Sequence, residues 1–274
     1  MNWRFAAVTA YNRKTRLGGS YVKNILAKAQ TAMLERCGAS NALLVFDFDG
    51  TLAPVGKDSR SVQLRAGTRR ALADVAARYP TAVISGRSRA DVLARLGGIP
   101  LRAVIGNHGL EPSPGAQHYR ALLRTWFPKL RDALQNVPGV TLENKLYSLS
   151  VHYGDAKHPR SAQKAIRNAV AALGGEAACL DGEGVIDVLP AEAPQRGSAV
   201  ASLCETFGVD SAIYVGRDAA NDQTFEKKGP SLIAIRVGRT GGRKAGYYLS
   251  AQSDVDRLLK SLLLARPAPE RLRT

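Results

Sequence analysis

The chain has 274 residues, 45% of them hydrophobic, and a formal net charge of +16 from 39 Lys and Arg against 23 Asp and Glu. This is the composition of one large or two smaller globular domains, which excludes intrinsic disorder and collagen-like architecture. No run of about 18 apolar residues exists to span a bilayer, so no membrane partner is expected.

Three cysteines, Cys37, Cys179 and Cys204, stand far apart without a CxxC. They supply neither a disulfide framework nor a zinc site and point to a reducing compartment, the cytoplasm. The basic excess is densest in residues 1–40, where seven Lys and Arg accompany one acid. With no block of five basic residues and no RNA-binding aromatic signature, nucleic acid is not an expected partner. Residues 1–40 read as a basic N-terminal extension, loosely ordered or forming a short surface helix.

Residues 43–49 form an apolar run that ends in acids, the pattern of a buried parallel strand with a functional tip. Residues 68–79 have helical spacing, 81–85 read as a second buried strand, 90–96 as a helix stopped by Gly97-Gly98, and 101–106 as a third strand. This alternation predicts parallel α/β order. The middle differs. Residues 119–135 read as a helix interrupted or restarted near Pro128. Residues 140–154 alternate around Asn144-Lys145 as a hairpin, 161–173 are helical, and 176–189 read as a second antiparallel pair across Asp181-Gly182-Glu183-Gly184. Parallel order then resumes with a helix at 196–207, strands at 211–216 and 232–238, and a closing helix at 254–263. Three segments follow: the extension 1–40, an α/β core of 41–112 plus 190–274, and an inserted α+β cap of 113–189.

The strongest chemical signal is Asp47-Phe48-Asp49-Gly50-Thr51-Leu52. Two carboxylates at i and i+2 end a strand and share a side. Ligands of open parallel sheets bind beyond such strand ends. Paired acids there suit a metal and an attacking carboxylate. Ser85-Gly86-Arg87 follows the second strand, where a hydroxyl and N–H groups ahead of a helix suit an anion. Acids after the strand at 211–216, Asp218 and Asp222 with Asn221 between them, suit a hard cation with oxygen ligands.

The apolar strand followed by DFDGTL resembles the haloacid dehalogenase-type phosphatases. The resemblance implies a Rossmann-like parallel-sheet core with an inserted α+β cap. Asp47 is then the nucleophile and Asp49 the acid that protonates the leaving alcohol and later activates water. Mg²⁺ is bound by the Asp47 carboxylate, the Asp49 carbonyl and Asp218, with Asn221 and Asp222 as supports. Phosphate is held by Ser85, Gly86, Arg87 and Arg196, the last standing where the family uses Lys. Arg217 stands where the family commonly carries a first metal-ligating Asp.

Gly106-Asn107-His108-Gly109-Leu110-Glu111, the ExK of Glu143 and Lys145, and the pattern Ser148-Leu149-Ser150-Val151-His152-Tyr153 narrow the resemblance to the trehalose-6-phosphate phosphatases, over about residues 42–264. By that resemblance Asn107, Glu143, Lys145 and Asp187 are substrate contacts. Asp187 and Leu189 replace the Glu and Arg of a family ExRP. The expected activity is hydrolysis of trehalose 6-phosphate by a cytoplasmic monomer. Two alternatives are a phosphatase for another sugar phosphate and a degenerate, non-catalytic sugar-phosphate-binding module.

Overall fold

A computed structural model describes residues 22–56, 61–112, 116–194, 196–217, 231–238 and 246–266. The chain forms two compact units. Gly86–Asp91 and Ile105–Gln195 make the second, and the other described residues make the first.

In chain order the elements are β1 (Lys23–Asn24), α1 (Thr31–Ala39), β2 (Leu43–Phe46), α2 (Ala66–Ala76), β3 (Thr81–Ile84), α3 (Arg89–Leu96), β4 (Ala103–Ile105), α4 (Ala116–Leu134), β5 (Thr141–Asn144), β6 (Leu149–His152), α5 (Pro159–Ala171), β7 (Ala177–Gly182), β8 (Val185–Pro190), α6 (Arg196–Phe207), β9 (Ser211–Gly216), β10 (Ser231–Val237), β11 (Tyr247–Leu249) and α7 (Asp254–Ala265).

The first unit is built on a sheet of order β1-β11-β10-β9-β2-β3-β4. β2 pairs in parallel with both β9 and β3, and β10 with both β9 and β11. All four residues of β2 are buried, as a central strand covered on both faces requires. Phe46, Phe48, Leu52, Leu72 and Val75 share one core with Val255, Leu258, Leu259 and Leu262 of α7.

Residues 22–40 differ from a loose extension. β1 pairs in parallel with β11 at the sheet edge. Met33, Leu34 and Cys37 of α1 lie on one helical face and join the main core. Gly38 lets α1 approach α7 closely, since a Cβ there would come within 2.4 Å of the Ala265 Cβ.

Arg266 locks this contact. Its guanidinium donates to the carbonyls of Gly38 and Arg78, each at 2.8 Å, and to that of Ser40. It also lies 4.2 Å from the Tyr79 ring centroid. Arg266→Ala should remove about 2–3 kcal/mol of stability. A fall of roughly 5–10 °C in thermal midpoint checks this, and an unchanged midpoint refutes it.

The second unit carries a separate antiparallel sheet, β5-β6-β8-β7. Period-two alternation gives it two distinct faces. Leu149 and Val151 of β6 and Ile186 and Val188 of β8 pack against Leu123, Trp126, Leu130 and Leu134 of α4 and Ile166 and Val170 of α5. The other face aligns Glu143, Ser150, Asp187 and Leu180 in one cross-strand row. Both antiparallel pairs match the expected ones. α4 runs unbroken through Pro128, contrary to the expected interruption. Pro128 is exposed, on the side away from the buried Trp126 and Leu130, so water can satisfy the carbonyl that loses its N–H partner.

Candidate active site

Asp47 directly follows β2, and its N–H continues the ladder by donating to the Val215 carbonyl at 2.9 Å. Phe48 and Leu52, both fully buried, anchor the following turn in the core. Within it the Gly50 N–H donates to the Ala53 carbonyl at 2.7 Å, and the Ala53 N–H to the Phe48 carbonyl at 2.9 Å. Gly50 takes φ 70°, a conformation open to glycine at little cost. Asp47 is only 5% exposed, and its Oδ1 accepts the Phe48 N–H at 2.9 Å. Asp49 is half-buried.

Ser85, fully buried, follows β3. Since β9, β2 and β3 are neighbours, Asp47, Ser85 and Arg217 leave the same end of the sheet. α6 opens with the buried Arg196. Only residues 208–210 separate its end from β9, so it runs back against the strands and starts at that same end. Arg217 covers the Gly50 turn, where a Cβ would lie 2.1 Å from the Arg217 Cδ. Asp218, Asn221 and Asp222 lie outside the described residues.

The remaining expected site residues belong to the second unit. Arg87 donates from Nη1 to Asp91 at 2.8 Å, an i,i+4 pair. Asn107 is fully buried. Its Nδ2 donates to Glu111 at 2.8 Å and its Oδ1 accepts from the Ser148 hydroxyl at 2.6 Å. Glu143 pairs with His152 at 2.9 Å on the open part of the sheet. The His152 hydrogen bond, with support from Lys145, outweighs partial burial and holds the Glu143 carboxyl below its ordinary pKa.

Asp187 is the centre of a buried network. Its Oδ2 lies 2.9 Å from His108 Nε2 and its Oδ1 lies 3.2 Å from Lys145 Nζ. The Ser150 hydroxyl donates to Oδ1 as well. Burial pushes the carboxyl up, but the charges of Lys145 and His108 and the bonds from His108 and Ser150 prevail, holding it far below the usual carboxylate range.

Asp47, Asp49, Ser85 and Arg196 thus stand at one end of the sheet of the first unit, and in the second unit hydrogen bonds link Lys145 to both Asn107 and Asp187. Ser150 and Glu111 were not among the expected site residues. Alternation of Ser148 and Ser150 with Leu149 and Val151 marks a polar face opposite an apolar one, a signal for Ser150. Nothing local marks Glu111 as the acceptor of the Arg89 N–H, 22 positions away.

The model of the trehalose-phosphatase family matches residues 45–250. The chain belongs to the trehalose-phosphatase family. A trehalose-phosphate phosphatase of Mycobacterium bovis is 30% identical over 255 residues, covering 85% of this chain. The chain spans only 53–64% of the length of such mycobacterial relatives. Among solved structures, the C-terminal domain of the Candida albicans trehalose-6-phosphate phosphatase matches at TM-score 0.68 and 18% identity, over 90% of this chain and 99% of that one. A haloalkanoate-superfamily phosphatase from Bacteroides thetaiotaomicron matches at TM-score 0.52 and 16% identity, over 82% and 95% of the two chains. The family match takes in Asp47, Ser85, Lys145, Asp187 and Arg196, and the fold is shared with these solved phosphatases.

Proposed function

We propose that this member of the trehalose-phosphatase family hydrolyses trehalose 6-phosphate to trehalose and phosphate. The observation that carries this reading is the gathering of Asp47, Ser85 and Arg196 at one end of the parallel sheet, within the span matched by the family. Asp47 attacks phosphorus, its carboxylate oxygen forming a new P–O bond as the bond to the sugar oxygen breaks. Asp49 gives its proton to that departing oxygen. It then takes a proton from the water that cleaves the aspartyl phosphate. Ser85, Arg196 and the N–H groups after Ser85 bear the charge on the equatorial oxygens. The bond from the Phe48 N–H to Oδ1 helps to fix the carboxylate orientation.

Mg²⁺ fits the chemistry of these donors. The Asp47 carboxylate and the Asp49 carbonyl are hard oxygen ligands of the kind Mg²⁺ prefers. Among the described residues no group of three acids, histidines or cysteines converges on a metal position, and Asp218 is the proposed third ligand. Bound there, the ion would neutralise phosphoryl charge. Glu143, Asn107, Lys145 and Asp187 serve recognition of the sugar phosphate, directly or by holding the groups that touch it.

The protein acts as a monomer in the cytoplasm on a small sugar phosphate, with neither nucleic acid nor membrane as partner. Its three cysteines remain thiols, which suits a reducing compartment. No helix among the described residues is long and apolar enough to cross a membrane.

The test is phosphate release from a panel of sugar phosphates, with Mg²⁺ and with chelator. Trehalose 6-phosphate should have the highest kcat/KM, and chelation should remove turnover. A different ester ranking first would move the substrate assignment. No release from any ester would leave a binding module.

A further inference from the structure

Residues 86–89, directly after Ser85, are held by other parts of the second unit. Lys145 Nζ donates to the Gly86 carbonyl at 3.0 Å. The Asn107 N–H donates to the Arg87 carbonyl at 2.7 Å. The Arg89 N–H donates to Glu111 Oε2 at 2.8 Å. The His108 ring lies against Gly86 so closely that a Cβ there would come within 2.5 Å of it.

A trans peptide points its carbonyl and its N–H in opposite directions. Because the carbonyls of Gly86 and Arg87 face Lys145 and Asn107, the Arg87 N–H points away from the Lys145 ammonium and the Ser88 N–H away from the Asn107 N–H. Lys145 is itself fixed. Its ammonium meets Asp187 Oδ1 at 3.2 Å, while Oδ2 of the same carboxylate meets His108 at 2.9 Å. One buried carboxylate therefore aligns both groups that grip Gly86: the ammonium on its carbonyl and the imidazole on its Cα. A cation on a carbonyl oxygen draws density from that peptide and strengthens its N–H as a donor.

We propose that Lys145 is a positioning residue of the phosphate loop, where its ammonium, aligned by Asp187, orients and polarises the Gly86–Arg87 peptide so that the N–H groups of the loop bind a phosphoryl group. This rests on the proposed role of residues 85–87 in phosphate binding. It separates Lys145 from a contact that reads only sugar hydroxyls, because a polarised loop acts on every phosphate, with or without a sugar.

The experiment compares wild type with Lys145→Met in two measurements. The first is inorganic phosphate binding by calorimetry in Mg²⁺. The second is kcat/KM for trehalose 6-phosphate and for p-nitrophenyl phosphate, which carries no sugar. The phosphate Kd should rise about tenfold, the scale of one lost charge-assisted bond, and kcat/KM should fall comparably for both esters. A merely structural defect lowers binding stoichiometry and leaves Kd in place. If Lys145→Met does not fold, Lys145→Gln, which also removes the charge, takes its place. Unchanged phosphate Kd and unchanged aryl phosphate hydrolysis, with loss only on the sugar ester, would overturn the proposal. A wild type that hydrolyses neither ester would instead refute the proposed activity, and the phosphate titration would then decide the role of Lys145 alone.

Discussion

Asp47→Asn should reduce phosphate release by a factor on the order of 10⁴–10⁶, the scale of removing a covalent nucleophile, while the protein stays folded. The argument for a clean chemical effect is structural. Asp47 is 5% exposed at the tip of a central strand. Its Oδ1 accepts the Phe48 N–H at 2.9 Å, and its own N–H bonds to β9 through the Val215 carbonyl. Asparagine matches aspartate in shape, keeps an oxygen for Phe48 and leaves the backbone bonds intact. What it lacks is a negatively charged oxygen able to attack phosphorus. Residual activity near the wild-type level, with an unchanged thermal midpoint, would show that Asp47 is not the nucleophile.

This part of the site was legible because its signal is local. Four apolar residues and two flanking acids announce a strand and its tip, and Gly50 announces the reversal. The order of Asp47, Ser85 and Arg196 along the chain maps onto one sheet end once the elements are known to be parallel. The edge strands were not legible. β1 has two residues and β11 three, too few for any periodicity to register, and they find each other across more than 200 positions. α1 shows Met33, Leu34 and Cys37 on one face, but that face becomes core only because α7 and the glycine at position 38 let a helix lie there. The basic residues around it carry the pattern of a solvated extension.

The second unit shows a different limit. Lys145 and Asp187 are expected substrate contacts, while His108 enters the sequence reading only as part of the Gly106–Glu111 motif. Sequence records that a charge exists, not what neutralises it. The pairing of Ser150 with Asp187 depends on the β6–β8 register. The approach of Lys145 to Gly86 spans 59 positions. Burial then changes the meaning of these residues, because a carboxylate already contacted by His108, Lys145 and Ser150 has few lone pairs left for a sugar. Its first task is to hold its neighbours.

That task implies the largest stability effect. Asp187→Asn should destabilise the protein by roughly 3–5 kcal/mol at neutral pH, the range for removing one partner of a buried ion pair. The substitution preserves volume, so no cavity enters the cost. It strips the countercharge from Lys145, whose side chain is only 13% exposed, and sets an amide N–H₂ among groups that are themselves donors. The pH dependence has a definite sign. The Asp187 carboxyl titrates far below its ordinary value in the folded state, so the unfolded chain takes up this proton first as pH falls. The stabilisation is fully present above the ordinary carboxyl pKa of about 4 and is lost progressively below it. Denaturant unfolding at pH 7 and pH 3 should therefore show a wide gap between wild type and variant at pH 7 that narrows at pH 3. A gap below about 1 kcal/mol at pH 7, the worth of an exposed pair, would mean that Asp187 is not the buried anchor of Lys145. The polarised Gly86 peptide would then lose its support as well.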